Sequence, residues 1–178
     1  LRYNFNTLNQ EALIQPRVQF ALQPQWKRDI VFRMAAGAYH QPPLYRELRR
    51  YDGSVNENVR AQKSWQWVGG MDWNFKGWGG RPFKLQTEIY YKRLTDVVPY
   101  DIDNVRIRYS GKNEAIAYTT GFEARLFGEL VKDAESWISV GIMRSRENLN
   151  NDQWYNYTID NNGKPTDSVL VQGGWVRD

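Results

Sequence analysis

The chain contains no cysteine and a single histidine, His40, in 178 residues. The missing thiols exclude a disulfide framework and any Cys-ligated zinc site. One imidazole cannot supply a His-based metal cluster, and a catalytic triad has nothing beyond His40 to build on. Long apolar runs are also missing. Stretches such as Met34–Tyr39 fall far short of the ~18 residues that a membrane-spanning helix needs. The net charge of +4 is modest, and the basic residues are scattered rather than gathered into the stripe of a nucleic-acid binder, so no nucleic-acid partner is expected. Asp101–Asn104 and Asp160–Gly163 superficially resemble calcium loops, but neither continues with the spacing and closing Glu of an EF-hand, and both read as turns. No cofactor and no metal are expected. No spacing specifies the paired carboxylates of a hydrolase, so the chain does not read as an enzyme.

What the sequence does have is aromatic wealth. Aromatic residues make up 15% of the chain, with eight tryptophans, at a mean hydropathy of only −0.72. Strands crossing a membrane reconcile the two figures, because such a strand needs about 10 residues and only every second one must be apolar.

Period-2 alternation recurs through the chain. Val18, Phe20, Leu22, Pro24 and Trp26 share one phase, against Arg17, Gln19, Gln23 and Gln25. Ile30, Phe32, Met34, Ala36 and Ala38 then oppose Arg33, Gly37 and Tyr39. The most aromatic segment sets Trp65, Trp67, Gly69, Met71, Trp73 and Phe75 against Ser64, Gln66, Gly70, Asp72 and Asn74. Phe83, Leu85, Thr87, Ile89 and Tyr91 oppose Lys84, Gln86, Glu88 and Lys92. Two later strands set Tyr118, Phe122, Ala124 and Leu126 against Glu123 and Arg125, and Ile138, Val140 and Ile142 against Ser139, Gly141 and Ser145. Leu1–Asn6 reads as the tail of one more strand.

The connections alternate in length. Lys27–Asp29, Lys76–Pro82 and Leu130–Glu135 are short, whereas His40–Lys63, Val97–Ala115 and the stretch from Asn148 onward are long. All short connections therefore fall at one end of the sheet, the pattern of outer-membrane barrels with short periplasmic turns and longer extracellular loops. A short helix is expected near Leu44–Arg50. A hairpin is expected where Trp154–Ile159 and Thr166–Val171 flank Asn162-Gly163. Trp26, Trp73, Phe75, Phe83, Phe127 and Trp137 lie near the short turns, where one interfacial aromatic girdle is expected, although Trp137 sits on the polar phase. On the apolar phases the alternation reads no charge before Arg144 and Arg146, near the long-connection end, where lipopolysaccharide phosphates would lie. Glu88, Lys92, Glu123 and Arg125 on the other phase read as lumen-facing ion pairs.

These segments resemble the later barrel strands of TonB-dependent receptors. Gln15-Pro16-Arg17 is similar to the family's "SPR" strand start, and Ala36–Pro43 to its strand end followed by "PP". Asn58–Ser64 resembles a degraded "NPxLKPEKS", Ile89–Val98 the "YYKDIKDLI" strand and loop, and Tyr118–Glu123 the "YxxGxE" return. The resemblance implies a 22-stranded barrel occluded by a plug and energised by the TonB–ExbB–ExbD complex.

The fold expected is thus all-β, an incomplete antiparallel transmembrane β-barrel of about six to seven strands within a single outer-membrane barrel domain covering 1–178. Both ends read as cut, with the plug, the first strands and the last strands outside the chain. The function implied is TonB-dependent, energy-coupled uptake of a scarce ligand (siderophore, cobalamin, glycan or peptide) across the outer membrane of a Gram-negative bacterium. The partners implied are that inner-membrane complex, outer-membrane lipid and lipopolysaccharide, and a surface lipoprotein capping the barrel. Candidate ligand contacts at the long-loop end are His40, Tyr45, Arg46, Arg49, Arg50, Tyr51, Trp154 and Tyr155. Two rivals remain: a passive outer-membrane channel, and a soluble aromatic-rich β-domain that stacks carbohydrate on Trp65, Trp67 and Trp73.

Overall fold

The alternating segments form strands in the computed structural model, which describes residues 1–131, 133–160 and 163–177, with only the backbone described at Arg177. The architecture is all-β, its sheets are antiparallel, and no α-helix occurs among the described residues. A hairpin of β1 (Arg2–Asn6) and β2 (Glu11–Gln15) leads through Pro16 into β3 (Arg17–Leu22). Then come β4 (Asp29–Gln41), β5 (Gln62–Lys76), β6 (Pro82–Val97), β9 (Ala115–Val131) and β10 (Ala134–Leu149). With β3 and the two-residue β13 (Val176–Arg177), these make one seven-stranded sheet in the order β13-β10-β9-β6-β5-β4-β3. Two further hairpins stand outside it: β7 (Tyr100–Asp103) with β8 (Arg106–Tyr109), and β11 (Gln153–Ile159) with β12 (Pro165–Gln172).

Each strand pairs with its sequence neighbour in the sheet, so the connections fall at alternate ends as expected. The short ones occupy 23–28, 77–81 and the turn at Asp133; of Leu130–Glu135, Lys132 lies outside the described residues. The long ones occupy 42–61, 98–114 and 150–175.

Several expectations are corrected. Leu44–Arg50 is not a helix but a turn, in which Glu47 N–H donates to the Leu44 carbonyl at 2.9 Å while the Glu47 carboxylate takes the Leu44 N–H at 2.7 Å. This side-chain bond satisfies locally what a helix would satisfy by continuing. Asp101–Asp103 belongs to β7, and its turn falls at Asn104 and Val105, both at positive φ. Leu1–Asn6 belongs to the β1–β2 hairpin rather than to the main sheet. The last long connection ends in β13, which pairs Val176 and Arg177 with Glu147 and Arg146 of β10. The hairpin expected at Trp154–Val171 forms, with Asn162 of its turn outside the described residues.

The register carries the two phases across the whole sheet without a slip in β3–β6. One row runs Phe20, Met34, Gly69, Ile89, Phe122, Ile142; the row below runs Leu22, Phe32, Met71, Thr87, Ala124, Val140. On the opposite face Arg33, Gly70, Glu88, Glu123 and Gly141 align. Two glycines let large rings lie flat on the strands. Phe83 covers Gly128, which has φ 154, and is 4% exposed; Tyr90 covers Gly121 on the other face.

Among the described residues no second layer packs on the sheet. Ile142 is 71% exposed, Met34 63% and Ile89 60%, and among the described residues the one cluster of buried apolar side chains, Leu48, Val59 and Val98, lies in the long connections. The sheet is also open. No closed barrel forms among the described residues, and the outer edges of β3 and of most of β10 pair with no described strand.

Candidate functional site

The long connections fold into a crown above the sheet. Asn113 holds two of them together: its Oδ1 accepts from Arg60 N–H at 2.8 Å, and its Nδ2 donates to the Arg60 carbonyl at 3.0 Å and the Asp96 carbonyl at 2.6 Å. Asp96, at φ 57 on a bulge where β6 slips against β9, pairs with Arg60 at 2.7 Å and Lys63 at 2.9 Å. Asn56 Nδ2 donates to the Gly111 carbonyl at 2.8 Å, and Tyr109 packs against Leu48, Val59 and Val98. The β1–β2 hairpin joins from the side, with Asn9 Nδ2 donating to the Val59 carbonyl at 3.0 Å and Glu11 accepting from Ala61 N–H at 2.8 Å. Backbone polar groups that would otherwise be orphaned are thus taken by side chains of a neighbouring loop, which gives the crown a defined shape.

The expected ligand contacts divide into three places. Tyr45, Arg46, Arg49, Arg50 and Tyr51 are all exposed on the first long connection. There Arg49 Nη2 donates to Tyr45 Oη at 3.1 Å and stacks 5.3 Å over its ring. Partial desolvation pushes the Tyr51 phenol up even though the residue is exposed, reinforced by the carboxylates of Asp101 and Glu114. The hydroxyl and backbone N–H of Ser54 hold the Asp52 carboxyl below its ordinary range. His40 is half-buried at the end of β4, opposite Lys63, and its carbonyl accepts from Gln15 Nε2 at 3.4 Å. Its Nδ1 is buried and has no hydrogen-bond partner among the described residues. Trp154 and Tyr155 sit on the separate β11–β12 hairpin, on opposite faces because they are consecutive, with Tyr155 against Tyr157 at 6.4 Å. No hydrogen bond or ring contact joins them to Tyr45–Tyr51 among the described residues.

The polar face of the sheet carries its own network. Asp72 accepts from Arg33 at 2.5 Å and from Gln86 at 3.3 Å, with Lys84 at 3.4 Å. Glu123 pairs with Arg125 at 3.6 Å, and Lys92 lies 5.2 Å over the Tyr90 ring. Glu88 and Glu123 are direct cross-strand partners, a juxtaposition that alternation within one strand cannot reveal because it depends on register.

The apolar face is bordered at both ends by rings. Near the short turns Trp73 meets Phe75 at 4.6 Å, Phe75 meets Phe83 at 5.7 Å, and Trp26 lies edge-on to Phe32 at 6.1 Å. Phe127 and Trp137, expected in this belt, are cross-strand partners on the polar face instead. A second belt, not anticipated, lies at the long-connection end. Trp65 stacks on Trp67 at 6.4 Å, Trp67 meets Tyr91 at 5.9 Å, Tyr91 meets Tyr118 at 6.2 Å, and Tyr118 meets Trp175 at 5.0 Å. Between the belts an open apolar hollow of about 820 Å³ crosses the strands above Ala36, Gly69 and Gly121. Among the described side chains four cations share this face, Arg144 and Arg146 among them: the register adds Arg93, beside Trp65 and Tyr118, and Lys63, opposite His40. All four lie at the long-connection end.

Among the described residues no group of three or more His, Asp or Glu side chains could hold a metal ion. No family model, no curated protein and no solved structure matches the chain.

Proposed function

We propose that the sheet is a sector of a β-barrel in the outer membrane of a Gram-negative bacterium, with its apolar face on lipid and its polar face on the lumen, and that the barrel is an energy-coupled importer of the TonB-dependent type. One observation carries the membrane reading: an apolar face, free of charge from Trp67 to Phe75, lies between two aromatic belts. From Trp65 to Phe75 is ten steps along β5. At ~3.3 Å per step and a strand tilt of ~40°, that spans about 25 Å of bilayer, the height of the apolar band of such barrels. A contiguous uncovered patch of this kind is foreign to soluble monomers.

Orientation follows from loop length: 42–61, 98–114 and 150–175 are extracellular, and 23–28, 77–81 and the turn at Asp133 are periplasmic. The open edges of β3 and β10 are closed by further strands, since each unpaired backbone group in hydrocarbon costs several kcal/mol. The order of motifs resembling TonB-dependent receptors supports import, as does a folded crown that presents Tyr45, Arg49 and Tyr51 outward for a scarce ligand. On this reading the TonB–ExbB–ExbD complex acts through a plug, and a surface lipoprotein is a further candidate partner.

The test is made on cells carrying the full-length protein and on a deletion strain. The protein should fractionate with the outer membrane, and an epitope inserted after Gly53 should be detected on intact cells, one after Gly79 only after permeabilisation. Across a panel of iron chelates, cobalamins, glycans and peptides, the deletion should abolish accumulation of one ligand, and a protonophore should do the same. Accumulation that survives the protonophore makes the protein a passive channel. Recovery in a soluble fraction makes it the sugar-stacking domain that the Trp65–Trp67–Tyr91 rings would also suit.

A further inference from the structure

The cations of the apolar face are confined to one corner of it. Arg93 of β6, Tyr118 of β9 and Arg146 of β10 form one cross-strand row, and Arg144 stands two residues along β10, in the row of Tyr91 and Thr120. Adjacent strands are about 4.8 Å apart, so Arg93 and Arg146 flank Tyr118 with about 10 Å between their Cα atoms. None of the three arginines makes an ion pair among the described residues, whereas Lys63 on the same face is engaged by Asp96. Within the regular register no Asp or Glu occupies this phase of β3, β4, β5, β6, β9 or β10, and Asp96, on the bulge of β6, is already shared by Arg60 and Lys63. Rings surround the group: Trp65 is the partner of Arg93 on β5, Tyr91 stacks on Tyr118, and Trp175 lies edge-on to Tyr118.

We infer that Arg93, Arg144 and Arg146 form a binding site for the phosphorylated sugar headgroup of an anionic glycolipid in the leaflet at the long-connection end. This rests on the membrane reading above and goes beyond it by specifying a site. Three guanidinium groups, each a rigid fork of donors matched to phosphate oxygens, can hold one phosphate or two neighbouring ones. Tyr118, Tyr91 and Trp65 offer flat apolar faces to a sugar ring, and the apolar rows below them receive acyl chains. Charge complementarity decides between occupants. A neutral lipid, or a second copy of this cationic face, would leave the arginines unpaired in a layer of low water content.

The full-length protein is reconstituted into phosphatidylcholine nanodiscs doped with bisphosphorylated lipid A or with its fully dephosphorylated form, and retained lipid is read by native mass spectrometry. Wild-type protein should retain the phosphorylated form at least tenfold over the dephosphorylated one. The triple variant Arg93→Gln, Arg144→Gln, Arg146→Gln should lose that preference, and Lys at the same three positions should restore part of it. Inorganic phosphate in large excess should not displace the lipid. Equal retention by wild type and the triple Gln variant overturns the site, and displacement by inorganic phosphate replaces it with a free-anion site. Protein that enters no bilayer refutes the membrane reading itself, whereas protein that inserts normally but ignores the phosphates refutes only this inference.

Discussion

The two faces of the sheet are made by the same strands and yet solve opposite problems. On one face the charges find partners: Asp72 gathers Arg33, Lys84 and Gln86, and Glu123 holds Arg125. On the other, Phe20, Met34, Gly69, Ile89, Phe122 and Ile142 form one row across six strands, and no second layer covers it among the described residues. A soluble sheet buries its apolar face against a second layer, and among the described residues the buried apolar cluster lies instead in the loops. The difference teaches that the environment, not a protein core, has to supply the missing layer. On the proposed reading lipid would do so on one side, while water and lumen contents would suit the other.

The largest effect that would sharpen this contrast is expected from a charge in the middle of the apolar rows. Phe122→Arg should destabilise the protein in phospholipid vesicles by about 2 to 4 kcal/mol, as for an Arg at the bilayer midplane. Its neighbour Glu123→Gln, on the polar face, should change stability by less than about 0.5 kcal/mol. Urea titrations of both variants check the pair, and equal losses would remove the asymmetry. A smaller effect is expected at Gly128, where a side chain would meet the Phe83 ring on a backbone at φ 154. Gly128→Val should cost about 1 to 3 kcal/mol, and the double change Gly128→Val, Phe83→Ala should recover part of the overpacking in the same titration. The smallest is expected at Asp72. Asp72→Asn keeps acceptors for Gln86 but loses the charge shared by Arg33 and Lys84, a change of about 0.5 to 1 kcal/mol that should shrink in high salt.

The strands and their phases were legible because alternation is a local signal. Trp65–Phe75 and Phe83–Tyr91 could be sorted into faces from their own residues, and the register kept that sorting across the sheet. What depends on neighbours was not legible. The belt of Trp65, Trp67, Tyr91 and Tyr118 exists only because four rings from three strands come into line. Arg93 lies beyond the alternation that ends at Lys92, whereas β6 continues to Val97. In the loops, side-chain bonds decided the outcome: Glu47 turned an expected helix into a turn, and the positive φ of Asn104 and Val105 made a hairpin of β7 and β8. The candidate ligand contacts were half legible. Tyr45, Arg46, Arg49, Arg50 and Tyr51 are exposed on one connection, but His40 lies in a different environment and Trp154–Tyr155 on a different hairpin.

The central claim, that one face of this sheet meets lipid and the other does not, is tested most directly by a spin label walked along β6 in the bilayer-reconstituted protein. Labels at Gln86, Thr87, Glu88, Ile89, Tyr90 and Tyr91 are scored for collision with oxygen and with a polar nickel chelate. The account predicts a period of two, with Thr87, Ile89 and Tyr91 favouring oxygen and Gln86, Glu88 and Tyr90 the chelate. A flat profile, or one in which the chelate reaches Ile89 as readily as Glu88, would contradict it.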